Sequence, residues 1–311
     1  DSAKGTGITF NDSGAYSYSD TFVIQLDEIG VGTITFNGTT SFAGSAALSA
    51  STSRDIVVSS GASVKTVDGH LTFRANQGRA ASQGDFSGIV VSGTVESTGK
   101  GDVTIDGRAG SKSTSGETSG VKVDGGTISG GKNGFVTVTG NGGSGTGEKL
   151  VGVFVTGSGI ITSAGADVDV TGKGGLTTAI GNAGVFVDGN SQITAGGNGT
   201  ILVNGHGGPG TGANNHGVYV TGGARITSTS GSLVLEGAAG KATGTGIVVD
   251  SEVSHTGTDS GIAIIADTVD VTAQGDVDAH ANTVLLRPLT KGYGVDLGGA
   301  HSDSIHEPYY N

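Results

Sequence analysis

Several residue types are missing from the chain or rare in it, and each absence excludes a class of protein. There is no cysteine, which excludes disulfides, a thiol nucleophile and thiolate metal sites. There are only 3 prolines, which excludes a collagen helix. No apolar run approaches the roughly 20 residues that a membrane-spanning helix needs. Methionine and tryptophan are absent too, and because residue 1 is Asp, we expect a processed product or a segment of a longer chain.

Positive charge is also scarce. The 16 Lys and Arg residues against 28 Asp and Glu leave a formal net charge of −12. Proteins that bind nucleic acid need clustered Lys and Arg to neutralise phosphates, and binding to an anionic lipid surface has the same requirement. The composition therefore argues against both kinds of partner and suits a soluble protein whose copies must not clump.

Glycine is abundant, together with residues that favour β-strands. The chain has 62 glycines in 311 residues, about three times ordinary usage. Val, Ile and Thr favour strands, whereas Gly, Asp and Ser favour tight turns. Disordered chains are poor in apolar residues and rich in charge, but this chain is 34% hydrophobic and 14% charged. The composition predicts many short strands joined by tight turns.

A segment of the form Gly-Val-x-Val recurs with a nearly constant period. Its glycines follow one another at intervals of 32, 32, 32, 33 and 29 residues. A second landmark, a strand-like stretch that ends in glycine, recurs at intervals of 33, 32, 33 and 32 residues. Two landmarks with one period indicate a repeat architecture. The first set begins at Gly88, Gly120, Gly152, Gly184, Gly217 and Gly246, and the second ends at Gly107, Gly140, Gly172, Gly205 and Gly237.

One repeat contains three strand-like segments and a glycine-rich loop. In the copy that begins at Gly152, Val153–Thr156 alternates apolar and polar residues, as a strand with one buried face does. Ile160–Thr162 and Asp167–Thr171 follow as short strands after bends, and the loop residues 173–183 precede the next copy. Three strands per turn predict a parallel β-helix, in which like positions stack about 4.8 Å apart.

We therefore predict an all-β, single-domain parallel β-helix with repeats of about 32 residues. We expect right-handed coiling, because the six-residue period usual in left-handed solenoids is absent. Residues 1–53 are predicted as a lead-in and cap, residues 54–266 as the repeat body, and residues 267–311 as C-terminal turns and a tail. Val187 should point inward and Thr156 should lie at a strand end. We therefore expect Val187→Asp to lower the free energy of unfolding by several kcal/mol and Thr156→Asp to leave it nearly unchanged. The predicted inward columns are Val153, Val185 and Val218; Ile161, Ile193 and Ile226; and Val168, Ile201 and Leu233.

The repeats resemble those of giant bacterial surface proteins of the filamentous-haemagglutinin-like and autotransporter-passenger type. The resemblance is carried by copies such as GVFVTGSGIITSAGADVDVTGKGG and GVYVTGGARITSTSGSLVLEG. The segments DIVVSSGASVKTVDGHLTFRANQG and NTVLLRPLTKGYGVDLGG look like regions that flank such arrays. The resemblance covers residues 54–299. It implies a secreted or cell-surface location in a bacterium, a structural or adhesive role, and a host or matrix glycan or protein as partner.

Many parallel β-helices cleave polysaccharides, and such enzymes need carboxylates, Lys or Arg that converge on one groove. The best candidates are Asp124, Asp188 and Asp250, which follow the first strand in alternate copies. Stacking would separate successive members by two rungs, roughly 10 Å, which exceeds the separation of a typical catalytic pair. We therefore interpret them as solvated turn residues of a non-catalytic chain. A carbohydrate-active enzyme, a polysaccharide lyase or hydrolase, is the alternative, which a groove lined with clustered Asp, Lys and Arg would favour.

No set of residues has the spacing of a specific metal site. Calcium is the one candidate cofactor, because Asp167 and Asp169 share one strand face, as do Asp276 and Asp278. The glycine-rich loops nevertheless lack the Asp that the calcium-binding nonapeptide repeat requires. We expect the chain to need no cofactor.

The outward positions of the first strand form a column that carries three aromatic residues in succession. We predict a contact strip for a partner, a sugar or another copy, made of Lys122, Phe154, Phe186 and Tyr219. The alternative is that the rings stabilise neighbouring rungs or that the corner loop covers them.

The ends of a stack of strands offer unpaired N–H and C=O groups to another stack. The C-terminal end carries Tyr309 and Tyr310, which are apolar enough to seat in a partner, and we predict both as an end-to-end contact. The expected function is a non-catalytic extracellular rod, structural or adhesive, as a segment of a large surface protein or a subunit of a filament.

Overall fold

A computed structural model describes residues 7–11, 16–26, 32–240, 244–280 and 282–295. These residues form 30 β-strands and no helix. The strands belong to three parallel sheets of ten strands, and each sheet takes every third strand in chain order. The chain is therefore wound as a parallel β-helix of ten coils with three strands per coil, which confirms the fold that the repeat predicts.

The three sheets, called A, B and C, take the first, second and third strand of every coil. Sheet A consists of β1 (Ile8–Phe10), β4 (Ile34–Phe36), β7 (Ile56–Val58), β10 (Ile89–Val91), β13 (Ser119–Asp124), β16 (Val151–Thr156), β19 (Val185–Val187), β22 (Val218–Val220), β25 (Ile247–Val249) and β28 (Val269–Val271). Sheet B consists of β2 (Tyr16–Tyr18), β5 (Thr39–Phe42), β8 (Ser63–Thr66), β11 (Thr94–Ser97), β14 (Thr127–Gly130), β17 (Ile160–Ser163), β20 (Gln192–Ala195), β23 (Arg225–Ser228), β26 (Glu252–His255) and β29 (Asp276–Asp278). Sheet C consists of β3 (Phe22–Leu26), β6 (Leu48–Thr52), β9 (Leu71–Ala75), β12 (Val103–Arg108), β15 (Val136–Asn141), β18 (Val168–Lys173), β21 (Ile201–His206), β24 (Leu233–Ala238), β27 (Ile262–Ala266) and β30 (Val284–Arg287).

The core is a set of apolar columns that run along the axis of the helix. Successive side chains of a strand point to opposite faces, so alternate residues of each strand enter the interior. Val185 pairs with Val153 on one side and Val218 on the other, and all three are fully buried. The predicted columns through Ile161 and Val168 continue in the same register. Each buried aliphatic side chain stabilises the stack by about 1.5–3 kcal/mol.

The region before residue 54 contains coils in register with the rest. Ile34 pairs with Ile56, and Leu48 pairs with Leu71. These coils do not show the 32-residue period, because they lack the long loop between sheet C and sheet A. Only residues 53–55, for example, connect β6 to β7. Phe36 and Phe42, two aromatic side chains of this region, are buried in the core.

The two landmark glycines of the repeat lie against each other where sheet C turns toward sheet A. A Cβ atom added to Gly172 would lie 2.1 Å from the carbonyl oxygen of Gly184. A Cβ atom added to Gly184 would lie 2.2 Å from the backbone nitrogen of His206. Because no side chain fits between these backbones, the close approach explains why both glycines recur once per coil.

The glycine-rich loops at this corner stack on one another as well. The amide of Leu176 donates to the carbonyl of Gly143 at 2.8 Å. Asn182 and Asn215 are fully buried in successive loops, and Nδ2 of Asn182 donates to Oδ1 of Asn215 at 3.0 Å. The loops thus form an ordered layer beside sheets A and C.

Candidate functional site

The outward column of sheet A brings the predicted aromatic residues into one stack. Phe186 pairs with Phe154 on one side and with Tyr219 on the other. The ring centroids of Phe154 and Phe186 are 4.9 Å apart with an interplanar angle of 5°, and those of Phe186 and Tyr219 are 5.1 Å apart at 2°. These distances follow the rung spacing of a parallel sheet. We call the three half-buried rings the aromatic ladder.

Both ends of the aromatic ladder are covered by side chains. Nζ of Lys122 lies 5.8 Å from the ring centroid of Phe154 and 2.9 Å from the carboxylate of Asp124. At the other end, the ring of His216 packs against Tyr219, with the centroids 5.2 Å apart. Nδ1 of His216 accepts a hydrogen bond from the amide of Thr245 at 3.1 Å. Burial lowers the pKa of His216 from its usual 6.5, so the imidazole next to Tyr219 is mostly neutral at pH 7.

This geometry limits what the ladder can offer to a partner. The rings face one another along the rod, so the edges of the inner ring point outward rather than its faces. The two terminal rings are next to Lys122 and His216, and Val248 occupies the outward position one rung beyond Tyr219. The contact strip stays a prediction, and a sugar stacked on a ring face is the occupant that fits it least, since such stacking needs an open face.

The three candidate catalytic carboxylates lie two coils apart, in a column that alternates Asp and Thr. Asp124 pairs with Thr156. Asp188 lies one coil further along, and its amide donates to the carbonyl of Val155, the residue before Thr156. Oδ1 of Asp188 accepts from the amide of Gly189 at 2.7 Å. The alternation keeps like charges off adjacent rungs, and the column therefore separates these carboxylates.

Asp250 is the most strongly engaged of the three. Its carboxylate accepts hydrogen bonds from the hydroxyls of Thr272 and Thr221, the latter at 2.7 Å. These two hydroxyls lower the pKa of Asp250 below its usual value, because they favour the ionised form. Asp250 is thus a charged acceptor at neutral pH and is unsuited to donate a proton.

An open groove of about 620 Å³ lies at the corner between sheets A and B. Its origin is a difference in corner length. Residues 221–224 connect β22 to β23, and residues 272–275 connect β28 to β29, but only residues 250–251 connect β25 to β26. The short corner between two longer ones leaves a recess, which we call the corner groove. It is lined by Thr221, Gly222, Gly223, Ala224, Arg225, Asp250, Ser251, Glu252, Gln274 and Asp276.

Charged side chains from three successive coils line the corner groove. Arg225 pairs with Glu252 and Glu252 with Asp276 in the register of sheet B. Nε of Arg225 lies 3.2 Å from a carboxylate oxygen of Glu252. Sequence reasoning missed this site, although the chain has two residues between Val249 and Glu252 and four between Val220 and Arg225. The short corner can be read from the sequence, whereas the recess depends on the corners above and below it.

The structure places the predicted calcium ligands next to backbone donors. Oδ1 of Asp167 accepts from the amide of Thr200 at 2.8 Å, and Oδ1 of Asp278 accepts from the amide of His280 at 2.7 Å. Among the described residues, no group of three or more His, Asp or Glu side chains is placed to hold a metal ion. The predicted end contact, Tyr309 and Tyr310, lies outside the described residues.

The described part of the chain contains no helix of the length and apolarity needed to cross a membrane. Comparison of the chain with protein-family models, with curated proteins and with solved structures found no match.

Proposed function

We propose that the protein is a non-catalytic extracellular rod, structural or adhesive, whose copies associate end to end. The main support is that the apolar columns are open at both ends of the described helix. Ile8 and Phe22 at one end, and Val271 and Val284 at the other, are inward residues between 37% and 43% exposed. Their partners one coil further in are at most 1% exposed. A further coil from another copy would bury these residues in the same way.

The charges of the two terminal coils favour head-to-tail joining. Asp270, Asp276 and Asp278 point outward from sheets A and B of the last coil and Arg287 from its sheet C, whereas Thr9 and Ser17 occupy outward positions of the first coil. Joining unlike ends would place carboxylates next to neutral side chains, and joining two C-terminal ends would place like charges on adjacent rungs. A head-to-tail contact that does not close on itself produces a filament.

Neighbouring residues of the last strand provide a matched test of this association. Val284 points inward and Leu285 outward, and the two are adjacent on β30. We expect Val284→Asp to shift long species toward monomers in light scattering and electron microscopy, and Leu285→Asp to leave them unchanged. Deletion of residues 302–311 should have the same effect as Val284→Asp. A full-length protein that is monomeric at high concentration would contradict the proposal.

A secreted or cell-surface location is part of the proposal. It is supported by the resemblance of the repeats to bacterial surface proteins and by the acidic composition without cysteine. Labelling of intact cells with an antibody against the chain tests it: signal from intact cells is expected, and signal only after lysis would contradict it.

The second candidate is a carbohydrate-active enzyme, which the corner groove favours because it gathers Asp250, Glu252, Asp276 and Arg225. Asp250 is held in its ionised form, so Glu252 or Asp276 would have to supply the acid. We expect no product from pectin or alginate, and no change with Asp188→Ala. Product release that disappears in Asp276→Asn would make the enzyme the better proposal.

A further inference from the structure

We infer that the corner groove binds a saccharide through hydrogen bonds donated by the side chains of Arg225 and Gln274 and accepted by the carboxylates of Glu252 and Asp276. Saccharides present neighbouring hydroxyl groups that donate and accept hydrogen bonds at once. The corner groove matches this chemistry, because its guanidinium and amide groups donate while its carboxylates accept. Its volume of about 620 Å³ lies within the range of small-ligand sites, about 300–1,000 Å³.

The walls of the corner groove are held in place before any ligand arrives. The amide of Gly223 donates to Oγ of Ser251 at 3.0 Å, and the amide of Asp276 donates to the carbonyl of Ser251 at 2.8 Å. These bonds tie the three corners together across the recess. A site with fixed donors and acceptors loses less entropy on binding, which favours a ligand recognised by hydrogen bonds.

The charges favour a saccharide over a free cation. Glu252 is already paired with Arg225, and Asp250 is already hydrogen-bonded by two hydroxyls. In the part of the chain that the structure describes, no three such groups converge on a metal position. Arg225 is still 60% exposed, so its remaining N–H groups can reach a ligand.

Three other corners between sheets A and B are as short, but their chemistry differs. Residues 37–38 connect β4 to β5, residues 92–93 connect β10 to β11, and residues 125–126 connect β13 to β14. The position equivalent to Glu252 holds Thr39, Thr94 and Thr127 there. Of these four short corners, the one at residues 250–251 combines the recess with Arg225, Glu252 and Asp276, so it is the one that we assign as a site.

This inference adds a ligand class to the adhesive part of the proposed function, and it requires no association of copies. The intact chain is first tested on an array of neutral and acidic oligosaccharides, and the best of them is titrated by calorimetry. Arg225→Ala and Asp276→Asn should each weaken binding by about tenfold or more, since each removes a hydrogen bond to a charged group. Circular dichroism of each variant reports whether it is folded.

The ion pair between Lys65 and Glu96 provides the control. It lies on the same outward face of sheet B, with Nζ and Oε2 3.0 Å apart. Lys65→Ala should leave saccharide binding within about twofold of the unaltered chain, because neither Lys65 nor Glu96 lines the corner groove. Three results would each overturn the inference. They are that no saccharide binds, that spermidine or Ca²⁺ binds in its place, and that the folded Arg225→Ala and Asp276→Asn variants bind saccharide as tightly as the unaltered chain. Loss of binding leaves the rod proposal intact, and a monomeric chain that binds saccharide contradicts the association alone.

Discussion

Two aromatic stacks in this protein have almost the same geometry and opposite surroundings. In the first coils, Phe10 and Phe36 stack inside the helix with centroids 4.8 Å apart and planes at 11°. In the middle coils, Phe154 and Phe186 stack outside it at 4.9 Å and 5°. The rung spacing sets the distance in both cases. The side on which the rings lie depends on whether the residue occupies an inward or an outward position of its strand.

The two stacks differ in what surrounds the rings. Phe36 is fully buried and also stacks on Phe73 of sheet C, with centroids 5.5 Å apart. The interior ring therefore joins two sheets, whereas the rings of the aromatic ladder join successive coils of one sheet. Loss of an interior ring should leave a cavity, and loss of an exterior ring should expose surface that solvent can reach.

The strongest test of this contrast places a charge on either side of one strand. Val187 is fully buried and its neighbour Phe186 points outward. We expect Val187→Asp to cost on the order of 5 kcal/mol in chemical denaturation, because the carboxylate would have no partner in an apolar stack. Phe186→Asp should cost much less, and equal losses would mean that the register is wrong.

Removing one ring from each stack should lower the free energy of unfolding by different amounts. Phe36→Ala should destabilise the protein by about 3–5 kcal/mol, as expected for a large buried side chain. Phe186→Ala should cost about 1–3 kcal/mol, because the half-buried ring makes two aromatic pairs, each worth about 0.5–1.5 kcal/mol. Urea denaturation measures both, and a larger loss for Phe186→Ala would contradict the assignment of the ladder to the outer face.

Acidification should weaken the end of the ladder at His216. The folded pKa of His216 is below its usual 6.5 because of burial, although the charge of Asp270 opposes the shift. Above pH 6.5 the ring is neutral in both the folded and the unfolded protein. Below pH 6.5 the unfolded protein binds the proton more readily than the folded protein does. Stability should therefore fall as the pH drops through 6.5 toward the folded pKa.

The variant His216→Phe isolates this contribution, because it keeps a ring beside Tyr219 and removes the titration. The loss of stability between pH 7.5 and pH 5.5 should be smaller in the variant than in the unaltered chain. Identical losses in urea denaturation would show that His216 does not respond to pH in this way.

The smallest effect is expected in the column of alternating Asp and Thr. Alternation along the strand alone predicts that Thr156→Asp is nearly silent, but Thr156 lies between Asp124 and Asp188 on adjacent rungs. The variant would align three carboxylates about 4.8 Å apart. We expect a loss of a few tenths to about 1 kcal/mol that shrinks in high salt. Thr162→Asp, whose rung neighbours are Ser129 and Thr194, is the control and should show no salt dependence.

The repeat was readable because its signals are local. Alternation such as that of Val153–Thr156 follows from one buried face, and the recurrent glycines follow from the close approach of two backbones at one corner. The first coils were harder to read, because without the corner loop their spacing differs from the period. The stacking of the aromatic ladder was foreseen from the spacing of its residues, whereas the cover of its end by His216 was not, since His216 lies in the preceding loop.

The sequence by itself determined the coil: three strands, the inward columns and the corner at which loops are inserted. It could do so because the residues that alternate along each strand and the glycines at its bends lie next to one another in the chain. Only the tertiary structure decided which surfaces the stacked coils create. The corner groove depends on the lengths of three corners that lie about 25 residues apart and meet only when their coils are stacked. The exposure of the terminal columns likewise depends on whether another coil covers them, which cannot be read from the residues of one strand.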